Sequence, residues 1–299
     1  MTQSPRILVL GALNADLVCH LPHIVAPGET IMAAEPQVFF GGKGGNQAVA
    51  AARMGASVGM IGAVGDDDHG AAMLANLQQN GVATDLVQKM PCASGQAWIQ
   101  IAADGENAII VLPGANDQFD AKAAQPCDVF VSQMELGLPR VAPKLREFHA
   151  QGAVTVLNMA PMPQDASVEE VVDCLLHTAH LVVNELEWAA LQQLMQVEDS
   201  ADLARTFDTA VIVTRGGDGA EMTSPDGTVT RSTATAVEVV DTTGAGDTFV
   251  GVYAAMLAKG QPPAAALNHA TRAASMACRA LGAQSGMPRE EDLDMMGAA

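Results

Sequence analysis

Seven residues, Asp241-Thr242-Thr243-Gly244-Ala245-Gly246-Asp247, bring together the residue types that handle a phosphate and a proton in one place. They follow a β-like run, residues 236–240, and open a stretch, residues 248–258, whose apolar side chains recur at helical spacing. A glycine-rich turn feeding a helix start leaves backbone N–H groups without intrahelical partners, and the positive end of the helix dipole reinforces them. Such a turn is an anion site. Asp247 sets one carboxylate at its mouth, where it can take the proton from a hydroxyl that attacks phosphorus. Read alone, the segment also fits an ordinary strand-to-helix turn in which Asp247 complements the dipole.

A second chemical run is Phe39-Phe40-Gly41-Gly42-Lys43-Gly44-Gly45-Asn46-Gln47. Its glycines let backbone approach a ligand closely, and Lys43 and Asn46 offer polar contacts at a helix start. It is not a Walker A loop, because Gln37 stands where the first glycine belongs and Gly44 follows the lysine. Nor does a strand–GxGxxG–helix unit with an acidic partner fit. On its own this run is equally a flexible turn before an alanine-rich helix.

The elements that must position these runs alternate. Residues 7–10, 58–61, 129–132, 154–157, 181–183 and 210–213 read as short buried strands. Helical patterns cover 46–54, 69–80 and 140–151, each followed by a stop glycine (Gly55, Gly81, Gly152). This alternation predicts an α/β fold with a central, mainly parallel sheet and helices on both faces. Ligands in such sheets sit at the carboxyl ends of the strands. Segments 17–40 and 95–112 are strand-like without helical periodicity and predict a small separate sheet projecting over the site. Residues 220–240 read as antiparallel strands around Asp226-Gly227, followed by helices over 246–258 and 262–279. The length of 299 residues suits one domain, 1–299, with that small sheet as an appendage.

The charge of −19, from 34 acidic and 15 basic residues, argues against nucleic acid and anionic membrane as partners. Positive potential for an anion must then be local, supplied by glycine loops, helix N-termini and a few cations. Five scattered cysteines without a CxxC pair suit a reduced, cytoplasmic chain. His177 and His180 read as helix-end residues, not a metal pair, because no third ligand accompanies them. No stretch reaches transmembrane length, and the run 7–13 lacks the basic flank of a signal peptide.

The order and spacing of Gly11-Ala12-Leu13-Asn14-Ala15-Asp16, Pro27-Gly28-Glu29-Thr30, Gly41 to Ala50, Gly62-x-x-Gly65-Asp66-Asp67 and Asp241 to Asp247 resemble the PfkB carbohydrate kinase family from end to end. Within it, Lys43 in the glycine run, Gly105-Glu106-Asn107 and Pro113-Gly114-Ala115-Asn116 are similar to the ribokinases. The resemblance implies a ribokinase-like fold with a small β-sheet lid, and ATP-dependent phosphorylation of a sugar's primary hydroxyl, ribose first. It implies Asp247 as catalytic base and Gly244, Ala245 and Gly246 as the anion hole. Asn14, Asp16, Gly42, Lys43, Asn46 and Glu135 match sugar-contacting positions; paired amides and carboxylates suit vicinal hydroxyls. Asp16 alone also fits an Asx turn.

The resemblance further implies that Asn184 and Glu187, by themselves a helix cap with an acidic third residue, organise Mg²⁺ through water. Thr214, Arg215, Gly216, Gly217, Asp218 and Gly219 match the nucleotide loop, together with Gly246 and Thr271. Asp241, Thr243, Ala277, Ala280, Gly282 and Gly286 match a monovalent-cation site for K⁺. A homodimer through the lid is implied as well. Three positions depart from the pattern: Gly286 where ribokinases tend to carry Ser, Thr271 where Asn or His is usual, and Arg215 where a small or apolar residue is commoner. Other substrates remain open (another pentose, a ketohexose, a keto-deoxy sugar acid, a nucleoside), as does a non-catalytic sugar-binding protein on the same fold.

Overall fold

The computed structural model describes residues 7–121 and 126–296. In chain order it contains β1 (Ile7–Leu10), β2 (Asn14–Leu21), β3 (Gln37–Gly41), α1 (Lys43–Arg53), β4 (Val58–Gly65), α2 (Asp68–Gln79), β5 (Val82–Ala83), β6 (Val87–Met90), β7 (Gly95–Ala102) and β8 (Asn107–Leu112). There follow β9 (Val129–Gln133), α3 (Leu138–Ala150), β10 (Val154–Asn158), α4 (Val168–Leu175), β11 (His180–Asn184), α5 (Glu185–Met195), α6 (Ser200–Phe207) and β12 (Ala210–Thr214). The chain continues through β13 (Ala220–Thr223), β14 (Val229–Ser232), α7 (Ala245–Ala258), α8 (Pro263–Ala277) and α9 (Glu290–Met296).

The large sheet runs β14-β13-β12-β11-β10-β9-β1-β4-β5, with β6 pairing β4 as well. Pairing is parallel from β12 to β4 and onward to β5 and β6, and antiparallel only for β12–β13 and β13–β14. Strand side chains alternate between two cores. Ile7 and Val9 of β1 join α1, α2, α7, α8 and α9 on one face. Leu8 and Leu10 join α3, α4, α5 and α6 on the other. That two-sided burial is why the strands read as continuous apolar runs rather than alternating ones.

The second sheet has four strands in the order β3-β2-β7-β8. Its β2 starts at Asn14, earlier than the strand-like composition suggested. In register, Asn14 lies opposite Gly41 on β3 and Gly95 on β7, so the end of the small sheet is stitched to the glycine run before α1.

Two expectations need correction. The run 236–240 is not a strand: β14 ends at Ser232, and the segment beyond it is irregular. Its apolar residues line a cavity instead, while the N–H groups of Val240 and Asp241 both donate to the Cys278 carbonyl. His180 is not a helix-end residue; it opens β11 and is hydrogen-bonded to the Tyr253 hydroxyl at 3.0 Å. Burial holds its imidazole down at about 4, so it sits neutral in the interior.

Candidate active site

Four parallel strands in succession, β9 to β12, end on Gln133, Asn158, Asn184 and Thr214. Polar residues closing apolar strands along one edge mark the side of an open α/β sheet where ligands are met. Two helix N-termini converge there. α7 begins on Gly244, whose φ of 76° belongs to the left-handed region. A β-carbon there would lie 2.6–2.8 Å from Ala283. Helices α2, α4, α5 and α6 are each capped by a side chain, from Asp67, Ser167, Asn184 and Asp199. Neither α7 nor α1, which starts after Gly42, has one. At α1 protein acceptors take part of the turn, the Lys43 N–H donating to Glu135 Oε2 and the Gly45 N–H to the Ala12 carbonyl, whereas at α7 the first-turn N–H groups beyond Ala245 stay available to an anion.

Asp247 lies in the first turn of α7 and is 7% exposed. Its Oδ2 accepts from Asn46 Nδ2 at 2.9 Å and its Oδ1 from Gln47 Nε2 at 3.0 Å. Both amides come from α1. Gln47 Nε2 also donates to Asn158 Oδ1 at 3.2 Å, and Gln133 Nε2 donates to Gln47 Oε1 at 2.6 Å. Asn46 Oδ1 accepts from Gln284 Nε2 at 2.9 Å. A carboxylate has about four acceptor sites, so Asp247 retains capacity for a hydroxyl.

The glycine run before and within α1 serves close approach. A β-carbon on Gly44 would fall 2.5 Å from the Gly11 Cα, so the first turn of α1 rests directly on the end of β1. A β-carbon on Gly41 would fall 2.1 Å from Asp16 Oδ2, which therefore lies over that backbone. The Lys43 N–H donates to Glu135 Oε2 at 2.7 Å. The Lys43 ammonium is held protonated beyond its usual range, mainly by Asp247 and with help from Glu135 and Glu187, against the cost of burial. Burial, followed by the charges of Glu135 and Asp247, pushes Asp16 up to about 7. Glu135 is open to water in the cleft yet walled by protein; that enclosure and the Asp247 charge raise it, with Lys43 opposing. Asn14 is oriented by Asn116, whose Nδ2 donates to Asn14 Oδ1 at 2.9 Å while bonding the Leu13 backbone on both sides.

Beside Gly246 opens a cavity of about 390 Å³, bounded by the loop after β12, the 234–239 segment and α8. Val237, Val239, Phe249 and Ala274 make it apolar, while Thr214, Gly216, Gly217 and Gly219 form its rim. Thr271 lines it too, but its hydroxyl bonds the Leu267 carbonyl of its own helix at 2.9 Å. Arg215 and Asp218 are not among its walls; the Arg215 guanidinium pairs with Glu185 at 3.6 Å and Glu221 at 3.4 Å. Asn184 and Glu187 form a reciprocal cap on α5, at 2.8 and 2.9 Å. Burial raises Glu187 above its ordinary range.

Asp241 accepts from the Thr243 N–H and hydroxyl and from the Gly282 N–H, at 2.7–2.9 Å. These bonds outweigh partial burial and hold its carboxyl below the usual value. Gly286 backs onto the Ala277 carbonyl, 2.1 Å from where a β-carbon would sit. The sequence singles out neither Gln133, Asn158 nor Gln284, and it offers Gln47 and Asn116 only as members of motifs, with no role. For Gln133 and Asn158 the signal was present: each is the polar residue that closes an apolar strand.

The chain matches the model of the pfkB family carbohydrate kinases over residues 4–290. It is 36% identical over 297 residues to a ribokinase of Bacillus subtilis, covering 97% of this chain and 98% of that one. A ribokinase structure from Thermotoga maritima superposes with a TM-score of 0.89 at 28% identity, covering 99% of this chain and all of the other. An Arabidopsis thaliana ribokinase complexed with ribose and ATP does so at 0.87 and 26% identity, covering 98% and 99%. With a glycine-capped helix start, a buried carboxylate and an apolar cavity already side by side at the strand ends, this match over nearly the whole length means that the chain belongs to the pfkB family of carbohydrate kinases.

Proposed function

We infer that this protein transfers the γ-phosphoryl group of ATP to the primary hydroxyl of D-ribose, yielding ribose 5-phosphate and ADP. The observation that carries the reading is the placing of Asp247 at the uncapped start of α7, between the glycine run of α1 and the apolar cavity. The hydroxyl proton passes to the Asp247 carboxylate as the hydroxyl oxygen bonds to phosphorus, and the bond from phosphorus to the β,γ-bridging oxygen breaks. Charge on the transferring group falls to the N–H groups of the Gly244-Ala245-Gly246 turn. Asn14, Asp16, Gly42, Lys43, Asn46 and Glu135 hold the sugar, and the nucleotide base enters the cavity against Gly216, Gly217, Gly219 and Thr271. Asn184 and Thr214 stand at the strand ends nearest its phosphates. Arg215 and Asp218 remain at the outer face of that loop.

The residues present fit two ions. Among the described residues no cluster of three or more His, Cys, Asp or Glu can hold a metal. A single carboxylate at Glu187, acting through water, suits Mg²⁺, which keeps most of its hydration. When bound it neutralises the phosphate charges. For K⁺ the donor set is the Asp241 carboxylate with the backbone carbonyls of Thr243, Ala277, Ala280 and Gly282, all hard oxygens. Gly286 brings no side-chain oxygen, and the Ala277 carbonyl behind it leaves no room for one. We assign the whole chain to one kinase domain with β2, β3, β7 and β8 as its lid, place it in the cytoplasm on the strength of its five free cysteines, and expect a homodimer through the lid. No described helix is long and apolar enough to cross a membrane.

The test is ADP release with ribose, deoxyribose, fructose, keto-deoxygluconate and adenosine, with and without K⁺. Turnover confined to ribose and raised by K⁺ supports the reading. Turnover on another sugar moves the substrate, and sugar binding without turnover on any member overturns catalysis.

A further inference from the structure

Among the described residues, Gln47 is one of the most heavily hydrogen-bonded polar side chains of the interior. It is fully buried, and so is Gln133; Asn158 is 8% exposed. Placing amides in an apolar helix–sheet interface is costly unless their hydrogen bonds are made. Gln47 makes three: its Nε2 serves Asp247 Oδ1 and Asn158 Oδ1, and its Oε1 receives Gln133 Nε2. Two strand ends therefore fix the Gln47 amide in orientation, and that amide fixes one oxygen of Asp247. Asn158 is itself tied down, donating from Nδ2 to the Val182 carbonyl at 3.2 Å. The helices are spaced for this contact by Gly251, one turn beyond Asp247. A β-carbon there would lie 2.4 Å from the Gln47 carbonyl and 2.6 Å from Ala50 Cβ.

We propose that Gln47, seated by Gln133 and Asn158, is a positioning residue that sets the rotamer of Asp247. One lone pair of the carboxylate is then presented to the sugar hydroxyl rather than left to rotate. Gln47 touches neither substrate; it acts through Asp247, and the inference rests on Asp247 being the base. A misplacement of the base on the order of 1 Å costs about 100-fold in rate. The loss should fall on turnover and not on binding, because Asn14, Asp16 and the nucleotide cavity do not touch Gln47.

The experiment compares Gln47→Met, Gln133→Met and Asp247→Asn with the parent enzyme. It reads kcat, the calorimetric Kd of ribose and of a non-hydrolysable ATP analogue, and thermal unfolding. Methionine keeps the length of glutamine and removes the donor. Gln47→Met should lower kcat about 10-fold to 100-fold, with both Kd values within about threefold of the parent. Parental kcat in a folded Gln47→Met protein, or equal loss of turnover and binding, overturns the proposal. If that variant does not fold, Gln133→Met decides. Gln133 Oε1 has no partner in the interior, so its replacement is the milder change. A fall in kcat of threefold or more with unchanged Kd supports positioning, and parental kcat overturns it. Asp247→Asn separates the two readings: if it keeps turnover, the base assignment fails. If it is inactive while Gln47→Met is not, only the positioning role fails.

Discussion

The residues around the cleft form an acidic site with one cation at its centre. Glu135, Glu187 and Asp247 act on Lys43, and Asp247 contributes most to holding its charge. Replacing Lys43 with alanine removes that charge from the sugar side, and we expect Lys43→Ala to raise the KM for ribose far more than it weakens nucleotide binding. Equal losses measured by calorimetry would count against placing Lys43 at the sugar. Asp16 supplies a pH signature. With its carboxyl pushed up to about 7, the folded protein holds more protons than the unfolded chain between the ordinary aspartate value and that point. Its contribution to stability therefore falls as pH rises through this window. Accepting bonds from two vicinal hydroxyls requires the ionised form, so sugar binding should release a proton near pH 7 and tighten from pH 6 to pH 8. Calorimetry in buffers of different ionisation enthalpy measures this release, and an unchanged proton count would exclude Asp16 as the acceptor.

At the scale of elements, what matters is which helix starts are closed and which are left open. Side-chain caps close α2, α4, α5 and α6, the start of α1 gives its Lys43 N–H to Glu135, and α7, facing Asn46 and Gln47 of α1, begins on a bare glycine turn. The α5 cap sits at the same edge, and there the capping partner is Glu187. Asn184→Ala removes one half of that reciprocal pair and should cost about 1 kcal/mol of stability. Alanine keeps the backbone N–H that the Glu187 carboxylate accepts from but removes the bond that holds the Glu187 N–H, loosening the turn that positions this carboxylate, so the KM for Mg²⁺-ATP should rise while the KM for ribose stays level. Denaturant unfolding and steady-state kinetics together check this, and a change in stability alone would reduce Asn184 to a cap.

Considered as a whole, the molecule shows, among the described residues, its longest consecutive run of exposed large apolar side chains on β8. On β8 the side chains of Ile109, Ile110, Val111 and Leu112 are all about half exposed, and Trp98 across from Ile110 is too. Consecutive residues point to opposite faces of a strand, so both faces of this edge lack full cover. A patch of this kind at the edge of the four-stranded sheet suits burial against a second copy. Under the proposed lid role of this sheet and the proposed homodimer, Ile110→Asp should shift the protein toward monomer in light scattering and raise the KM for ribose. A monomeric parent protein would remove this reading.

Much of this protein follows from its sequence alone. Buried strands between glycine-stopped helices required a two-faced, mainly parallel sheet, because no other arrangement covers such apolar runs on both sides. The glycine turn ending in Asp247 required an open helix start with a carboxylate in it, since those properties are local to the backbone. Tertiary structure decided the rest. Gln47 lies 200 residues from Asp247 in the chain, and nothing in its periodicity separates it from a surface residue of α1. Only the order of the strands and the close crossing of α1 and α7 at Gly251 bring its amide to the carboxylate. The run 236–240 has the composition of a strand, but neighbours decide whether an apolar segment pairs or lines a cavity. Thr271 likewise has a hydroxyl fit for a ligand, and its own helix takes it. Local chemistry is encoded residue by residue, whereas partners distant in sequence are set by the packing that closes the fold.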